Sequence, residues 1–168
     1  MVEVLSITES IAILLPALIS NASPVLLKHK GVPIDGGFKF IDNKPILGEG
    51  KTIEGLFIGL INGYIFTLLL YTITCNWNIL VAGFLSSIGA LLGDLVGAFI
   101  KRRLGIPRGG KAPLLDQLDF YVGSLLLLWV FGYRLNTYII IVFIPVIFIL
   151  HRVTNIAAYK LGLKSVPW

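Results

Sequence analysis

The chain has one cysteine, one methionine and two histidines in 168 residues, and only 14% of its residues are charged. Each shortage excludes something. The lone Cys75 permits no internal disulfide. His29 and His151 are too few and too scattered for a zinc site. Soluble domains carry about 25% charged and roughly 45–50% apolar residues, whereas this chain is 56% hydrophobic, with a mean hydropathy of +0.88. A water-soluble all-α fold of this length could not bury that much apolar surface. A basic N-terminal region is missing too: Glu3 and Glu9 stand where a cleavable signal peptide carries positive charge.

What is present is apolar length. Residues 5–27, 52–74, 79–100, 114–131 and 137–159 form five stretches near the roughly 20 residues that a spanning helix needs. They predict an all-α integral membrane protein of about five transmembrane helices with two long cytoplasmic loops, forming one domain over residues 1–168. The net charge of +5 invites a nucleic-acid reading, but its placement favours a membrane surface and no nucleic acid. Lys28, Lys30, Lys39, Lys44 and Lys51 fill the first connection, and Lys101, Arg102, Arg103, Arg108 and Lys111 fill the third. The second has no charge and the fourth only Arg134, while Arg152, Lys160 and Lys164 gather at the end of the chain. The positive-inside rule then predicts a multi-pass protein of the cell membrane with its N-terminus outside and its C-terminus inside. Tyr71, Trp77, Tyr133 and Tyr138 would form an outer aromatic belt. Seven of the nine acidic residues fall in or toward the cytoplasmic half, so function is expected at that face.

Glycines recur every fourth residue at Gly55, Gly59 and Gly63, and again at Gly89, Gly93 and Gly97. Small residues at this spacing let helix backbones approach closely in lipid, and helix packing is the favoured reading. Asp94 lies seven residues before Lys101 on roughly one helix face. An aspartate at a span centre costs about 2.5–3.5 kcal/mol to insert, less near an interface. Asp94 is therefore either a functional carboxylate or the partner of a lysine that fixes packing. A helix starting near Leu114 puts Asp116 and Asp119 on one face. Two aspartates in a first turn also complement the helix dipole. Three carboxylates around a basic loop point to a metal–phosphate site, and hard oxygen ligands suit magnesium. Gly48-Glu49-Gly50-Lys51-Thr52 places a lysine and a hydroxyl at a helix start, either a phosphate grip or an ordinary turn. It lacks the glycine spacing of a P-loop. Asn21-Ala22-Ser23-Pro24 interrupts the inner end of the first span, as a plain kink or as a polar notch lining a cavity.

Gly93-Asp94 followed by Ala98 and Lys101-Arg102-Arg103, then Arg108-Gly109, then Asp116-Gln117-Leu118-Asp119-Phe120, resembles the CDP-archaeol synthases, distant relatives of the CDP-diacylglycerol synthases. Asn21 with Pro24, Leu47-Gly48 with Lys51-Thr52, and the tail from Asn155 to Pro167-Trp168 extend the resemblance over nearly the whole chain. One departure is Ala98, where bacterial synthases typically carry serine; a hydroxyl is gone and the carboxylates remain. The resemblance implies that CTP and an isoprenoid ether lipid phosphate, digeranylgeranylglyceryl phosphate, give CDP-archaeol and pyrophosphate. On this reading Asp94, Asp116 and Asp119 are metal ligands for Mg2+, and Lys101 and Arg102 act with them in catalysis. Lys51 and Thr52 hold phosphates, with Lys44 and Arg108 as further candidates. Asn21 contacts the nucleotide, with Ser23 and the backbone before Pro24 beside it, or braces the site. Membrane lipids surround the protein, and the sequence leaves its oligomeric state open. A CDP-alcohol phosphotransferase would need a denser aspartate motif, and an anion transporter would favour paired repeats. Neither is visible here.

Overall fold

The computed structural model of the protein describes residues 4–27, 31–164 and 166, so Glu3, Lys28, His29, Lys30 and the final Pro167-Trp168 lie outside the described residues. Five α-helices follow one another: α1 (Ile7–Ala22), α2 (Ile53–Thr74), α3 (Trp77–Arg103), α4 (Leu115–Val130) and α5 (Thr137–Lys160). No strand forms among the described residues, only isolated bridges such as Pro33 with Thr52.

Local chemistry sets the boundaries. α1 starts in a capping box, with the Ser6 hydroxyl accepting from Glu9 N–H and the Glu9 carboxylate accepting from Ser6 N–H. It ends at Ala22 and passes into a 3₁₀ turn over Ser23–Leu27, because Pro24 supplies no N–H to continue the helix. α2 begins at Thr52, whose hydroxyl accepts from Gly55 N–H at 3.1 Å, and stops at Cys75 in a left-handed conformation. α3 runs a turn beyond the expected apolar stretch. Lys101, Arg102 and Arg103 are its last turn, where cations complement the helix dipole.

Among the described residues four helices are long and apolar enough to cross a membrane: α2, α3, α5 and α1 continued by the 3₁₀ turn. α4, at 16 residues, spans about 24 Å and falls short of the usual crossing length. It is held instead by α3. Gly89 and Gly93 of α3 lie against the backbone of Asp119, Gly123 and Ser124, and Ser86 and Ser124 share a buried hydrogen bond of 2.7 Å. The glycine stripe of α2 meets Ser20 of α1 and Ser87 and Leu91 of α3. Both stripes are packing faces except at Gly97, which lies against the Asp119 side chain. The core between helices holds Ile13, Leu14, Ala82, Ala90, Phe120 and Leu128, while Phe57, Ile61, Ile65, Leu69 and Ile73 of α2 stay exposed along one side. An apolar outer surface of this kind suits lipid.

The two ends differ. At one, short turns tie together: Leu5 N–H donates to the Arg134 carbonyl, Asn76 to Glu9, and Asn136 N–H to Ser10. Tyr71 and Trp77 meet edge to face there. At the other, the long connections before α2 and before α4 fold over the bundle.

Candidate active site

The long connection before α2 is organised by Asp35, which sequence reading passed over. Its carboxylate accepts from the N–H groups of Leu47 and Gly48 at 2.8 Å each and from Gly37 at 3.1 Å. Burial pushes the Asp35 pKa up, but these backbone donors prevail and hold it below the ordinary carboxylate value. The anchored strip passes the end of α3. Arg102 Nε donates to the Leu47 carbonyl at 3.1 Å, and a further guanidinium nitrogen donates to the Ile106 carbonyl. Gly48 has φ +88°, and a Cβ there would stand 3.3 Å from Arg102 Nε. Arg102 is thus stapled between both long connections, and the chain is delivered to Lys51.

Lys51 Nζ donates to both oxygens of Asp94, at 2.5 and 2.6 Å. Lys101 Nζ donates to Asp116 Oδ1 at 2.5 Å. The spacing of Asp94 and Lys101 on one face is therefore not a pairing: Asp94 takes its cation from the first connection, and Lys101 reaches across to α4. Asp116 also accepts from Ala112 N–H at 2.9 Å, closing a turn in which Leu114 adopts φ +70°, rare for a side-chain-bearing residue. Asp119 stands beside Gly97, where any Cβ would collide with its carboxylate. Its charged neighbours are Asp94, Lys51 and Lys101.

These groups line one cavity of about 740 Å³. Asp94, Asp116, Asp119, Lys51, Lys101, Arg102, Arg108, Thr52 and Asn21 all reach it, and so does Ala98, 1% exposed. The hydroxyl of Thr52 doubles as the α2 cap. Arg108 is also held at 3.4 Å by Glu49. Lys44 is not part of the lining: its ammonium donates to the Arg103 carbonyl at 3.0 Å and serves the end of α3. Ser23 is also occupied elsewhere, donating to the Ile19 carbonyl and accepting from Asn62. Of the notch expected over Asn21-Ala22-Ser23-Pro24, Asn21, Ala22 and Pro24 line the cavity, and Asn21 is the polar side chain among them. No three acidic, histidine or cysteine side chains converge into a metal cluster among the described residues. Magnesium does not require one, since it usually takes one or two carboxylates and completes its shell with water and phosphate oxygens. The donor set of the cavity suits that mode.

The rest of the lining is apolar. Leu15, Ile19, Phe66, Leu91 and Leu95 form one side. Ile19 and Leu150, 37% and 39% exposed, carry it out to the lipid-facing surface. The lower half of α5 supplies a wall unforeseen from sequence: Ile147, His151, Asn155 and Ala158, with Lys164 beyond the helix end. His151 and Asn155, four positions apart where the apolar run of α5 ends, were the available signal.

Lipid-facing helices around a cavity that is charged at one end and apolar at the other define an integral membrane protein built to receive an amphiphile with an anionic head. The sequence model of the CarS-like family, CDP-archaeol synthase, matches residues 1–168. A CDP-archaeol synthase of Hyperthermus butylicus is 53% identical over the full length of both chains. One of Aeropyrum pernix is 44% identical, covering 97% of this chain and 93% of that one. One of Sulfolobus acidocaldarius is 43% identical, covering 92% and 93%. A solved structure described as an intramembrane enzyme for archaeal membrane lipids biosynthesis superposes with a TM-score of 0.83 at 39% identity, covering 93% of this chain and 98% of the other. The chain belongs to the CDP-archaeol synthase family of membrane-embedded enzymes.

Proposed function

We propose that this enzyme transfers the cytidylyl group of CTP to an isoprenoid ether lipid phosphate, forming CDP-archaeol and pyrophosphate. An oxygen of the lipid phosphate attacks the α-phosphorus of CTP, and the bond from that phosphorus to the bridging oxygen of the β-phosphate breaks. The nucleophile is already anionic at pH 7, so the site needs no strong base. The observation that carries this reading is the cavity itself: two lysine–aspartate pairs and Arg102 at one end, and an apolar side continuous with the lipid-facing surface at the other.

The difficulty of the reaction is bringing two polyanions together. Lys51, Lys101, Arg102 and Arg108 neutralise and orient phosphate oxygens. Lys51 and Lys101, each held by a carboxylate, are placed before substrate arrives. Asp94, Asp116 and Asp119 would hold Mg2+, one or two of them directly and the rest through water, and the ion would supply charge stabilisation for the nucleotide phosphates and the leaving pyrophosphate. The lysine now on Asp94 would then turn to phosphate. Asn21 supplies hydrogen bonds for the base edge, where a wrong base leaves site groups unpaired. The lysine and arginine bias supports an orientation with this face toward the cytoplasm, the N-terminus outside and the C-terminus inside.

The test is pyrophosphate release by the purified protein, with four nucleotides against isoprenoid and straight-chain lipid phosphates. We expect release only with lipid phosphate and magnesium present, with CTP well ahead of ATP and GTP. Changes in the chains should matter less, since one methylene in an apolar pocket is worth about 1–3 kcal/mol. Equal use of ATP would remove Asn21 as a base reader. Release without lipid phosphate would remove the reaction.

A further inference from the structure

Three polar groups on the α5 side of the cavity have no part in the reading above. His151 and Asn155 are one helical turn apart on the face that also carries Ile147 and Ala158. Beyond α5 the chain turns back on itself, with the N–H groups of Leu163 and Lys164 both donating to the Ala158 carbonyl, at 2.8 and 3.3 Å. That turn returns Lys164 to its own helix. Its ammonium donates to Asn155 Oδ1 at 2.9 Å, and Asn155 Nδ2 lies 3.1 Å from His151 Nδ1. The asparagine is thus oriented from both ends, its oxygen to a cation and its amide to an imidazole. Asp116 and Lys101 are charged neighbours of both His151 and Lys164, which ties this set to the reacting end of the cavity.

The two substrates differ in what they need. A nucleoside triphosphate has no hydrocarbon chain to bury, and the α2–α4 side already offers it carboxylates and cations. An acceptor lipid must rest its chains on apolar side chains and hold its phosphate within a turn or two of them. α5 is built in that order. Ile147 and Leu150 come first, then His151 and Asn155 about 6–12 Å along the axis from Ile147, then Lys164 folded back beside them. We propose that His151, Asn155 and Lys164 form the receiving subsite for the phosphomonoester of the acceptor lipid. The inference rests on the cytidylyl-transfer reading for the identity of the acceptor and gives this network a ligand of its own. A purely structural role, clamping the turn after α5, is the rival.

The experiment compares the full-length protein with Lys164→Met and Asn155→Leu in detergent micelles, with magnesium fixed. The KM for lipid phosphate should rise about tenfold to a hundredfold, the range of a lost hydrogen bond to a charged group, while the KM for CTP stays within about twofold. Binding is also read without turnover, as the rise in melting temperature given by lipid phosphate and, separately, by CTP. The variants should keep the CTP response and require about tenfold more lipid phosphate for theirs. A raised KM for CTP with lipid unchanged would assign the network to the nucleotide, and no change in either would leave it a clamp; both overturn the proposal. If Lys164→Met does not fold, Lys164→Cys in a Cys75→Ser background replaces it. An aminoethyl disulfide on that cysteine should restore lipid affinity, a neutral methyl disulfide should not, and equal behaviour of the two overturns the proposal. A wild-type protein that makes no CDP-lipid but is stabilised by lipid phosphate through Lys164 would sink the cytidylyl-transfer reading and keep the subsite. An active wild type with indifferent variants would do the reverse.

Discussion

Asp94 and Lys51 are 43 positions apart in the chain and 2.5 Å apart in space, and their pairing tests whether the site is chemical or structural. Asp94→Asn keeps the shape and removes the charge. Removing one positioned charge from a preorganised site costs on the order of 10²–10³ in kcat, so pyrophosphate release should fall at least a hundredfold. The melting temperature in detergent should stay within a few degrees. The double variant Lys51→Met with Asp94→Asn removes the unpaired cation as well. It should fold and remain inactive; an active double variant would make the pair a packing device. Asp35 gives a prediction in pH. Its folded pKa lies below the ordinary 3.8, so its contribution is complete above that value and is lost as pH falls through the lower folded value. Protection factors for hydrogen exchange across residues 31–52, taken relative to the intrinsic rate at each pH, should be constant near pH 5 and fall as pH drops through the lowered folded value. In Asp35→Ala three N–H groups lose their acceptor, at about 1–3 kcal/mol for a buried one, and protection there should be low and independent of pH.

Two glycines one turn apart in α3 face different parts of α4, and the difference decides what substitution does. A Cβ at Gly93 would strike the backbone carbonyl of Asp119, with Gly123 Cα at 3.0 Å. Backbone cannot step aside, so Gly93→Ala should force α3 and α4 apart and cost about 1–3 kcal/mol, seen as a lower melting temperature and weaker expression. A Cβ at Gly97 meets the Asp119 side chain instead. The carboxylate can rotate away, but Asp119 Cβ, 2.7 Å off, moves only with its backbone, so Gly97→Ala should lower the melting temperature less than Gly93→Ala does while turning Asp119 out of place and cutting kcat tenfold or more. If both variants lose stability alike, Gly97 is a packing residue and Asp119 owes it nothing. α4 itself shows why this interface matters. A helix of 16 residues gains little from lipid on its own and carries Asp116 and Asp119 only where α3 holds it.

For the molecule as a whole, both long connections and both lysine–aspartate pairs lie at one end. The proposed orientation puts that end in the cytoplasm. Cysteines introduced at Lys39 and Lys111 in a Cys75→Ser background should react with an impermeant maleimide only in inside-out vesicles. Reaction of both in right-side-out cells would invert the topology and separate the site from cytoplasmic CTP.

Membrane residence, helical architecture, helix boundaries to within a turn or so and the gathering of acidic and basic residues at one face were all legible in the sequence. They follow from quantities the chain carries locally: apolar length, helical period, capping residues and the sign of charge in each connection. Asp94 stood out as a carboxylate near lipid, and Asp116 and Asp119 as two carboxylates on one helix face; the fold brings all three to one cavity. What the tertiary structure decided is who meets whom. Lys51 rather than Lys101 reaches Asp94, Lys44 is spent on the end of α3, and Ser23 is occupied away from the cavity. Those outcomes depend on the path of an irregular connection anchored by Asp35, and no periodicity records such a path. The α5 wall was hidden for a related reason. His151 and Asn155 are ordinary polar residues until the turn through Ala158 brings Lys164 back to them, a contact made only when the chain is folded.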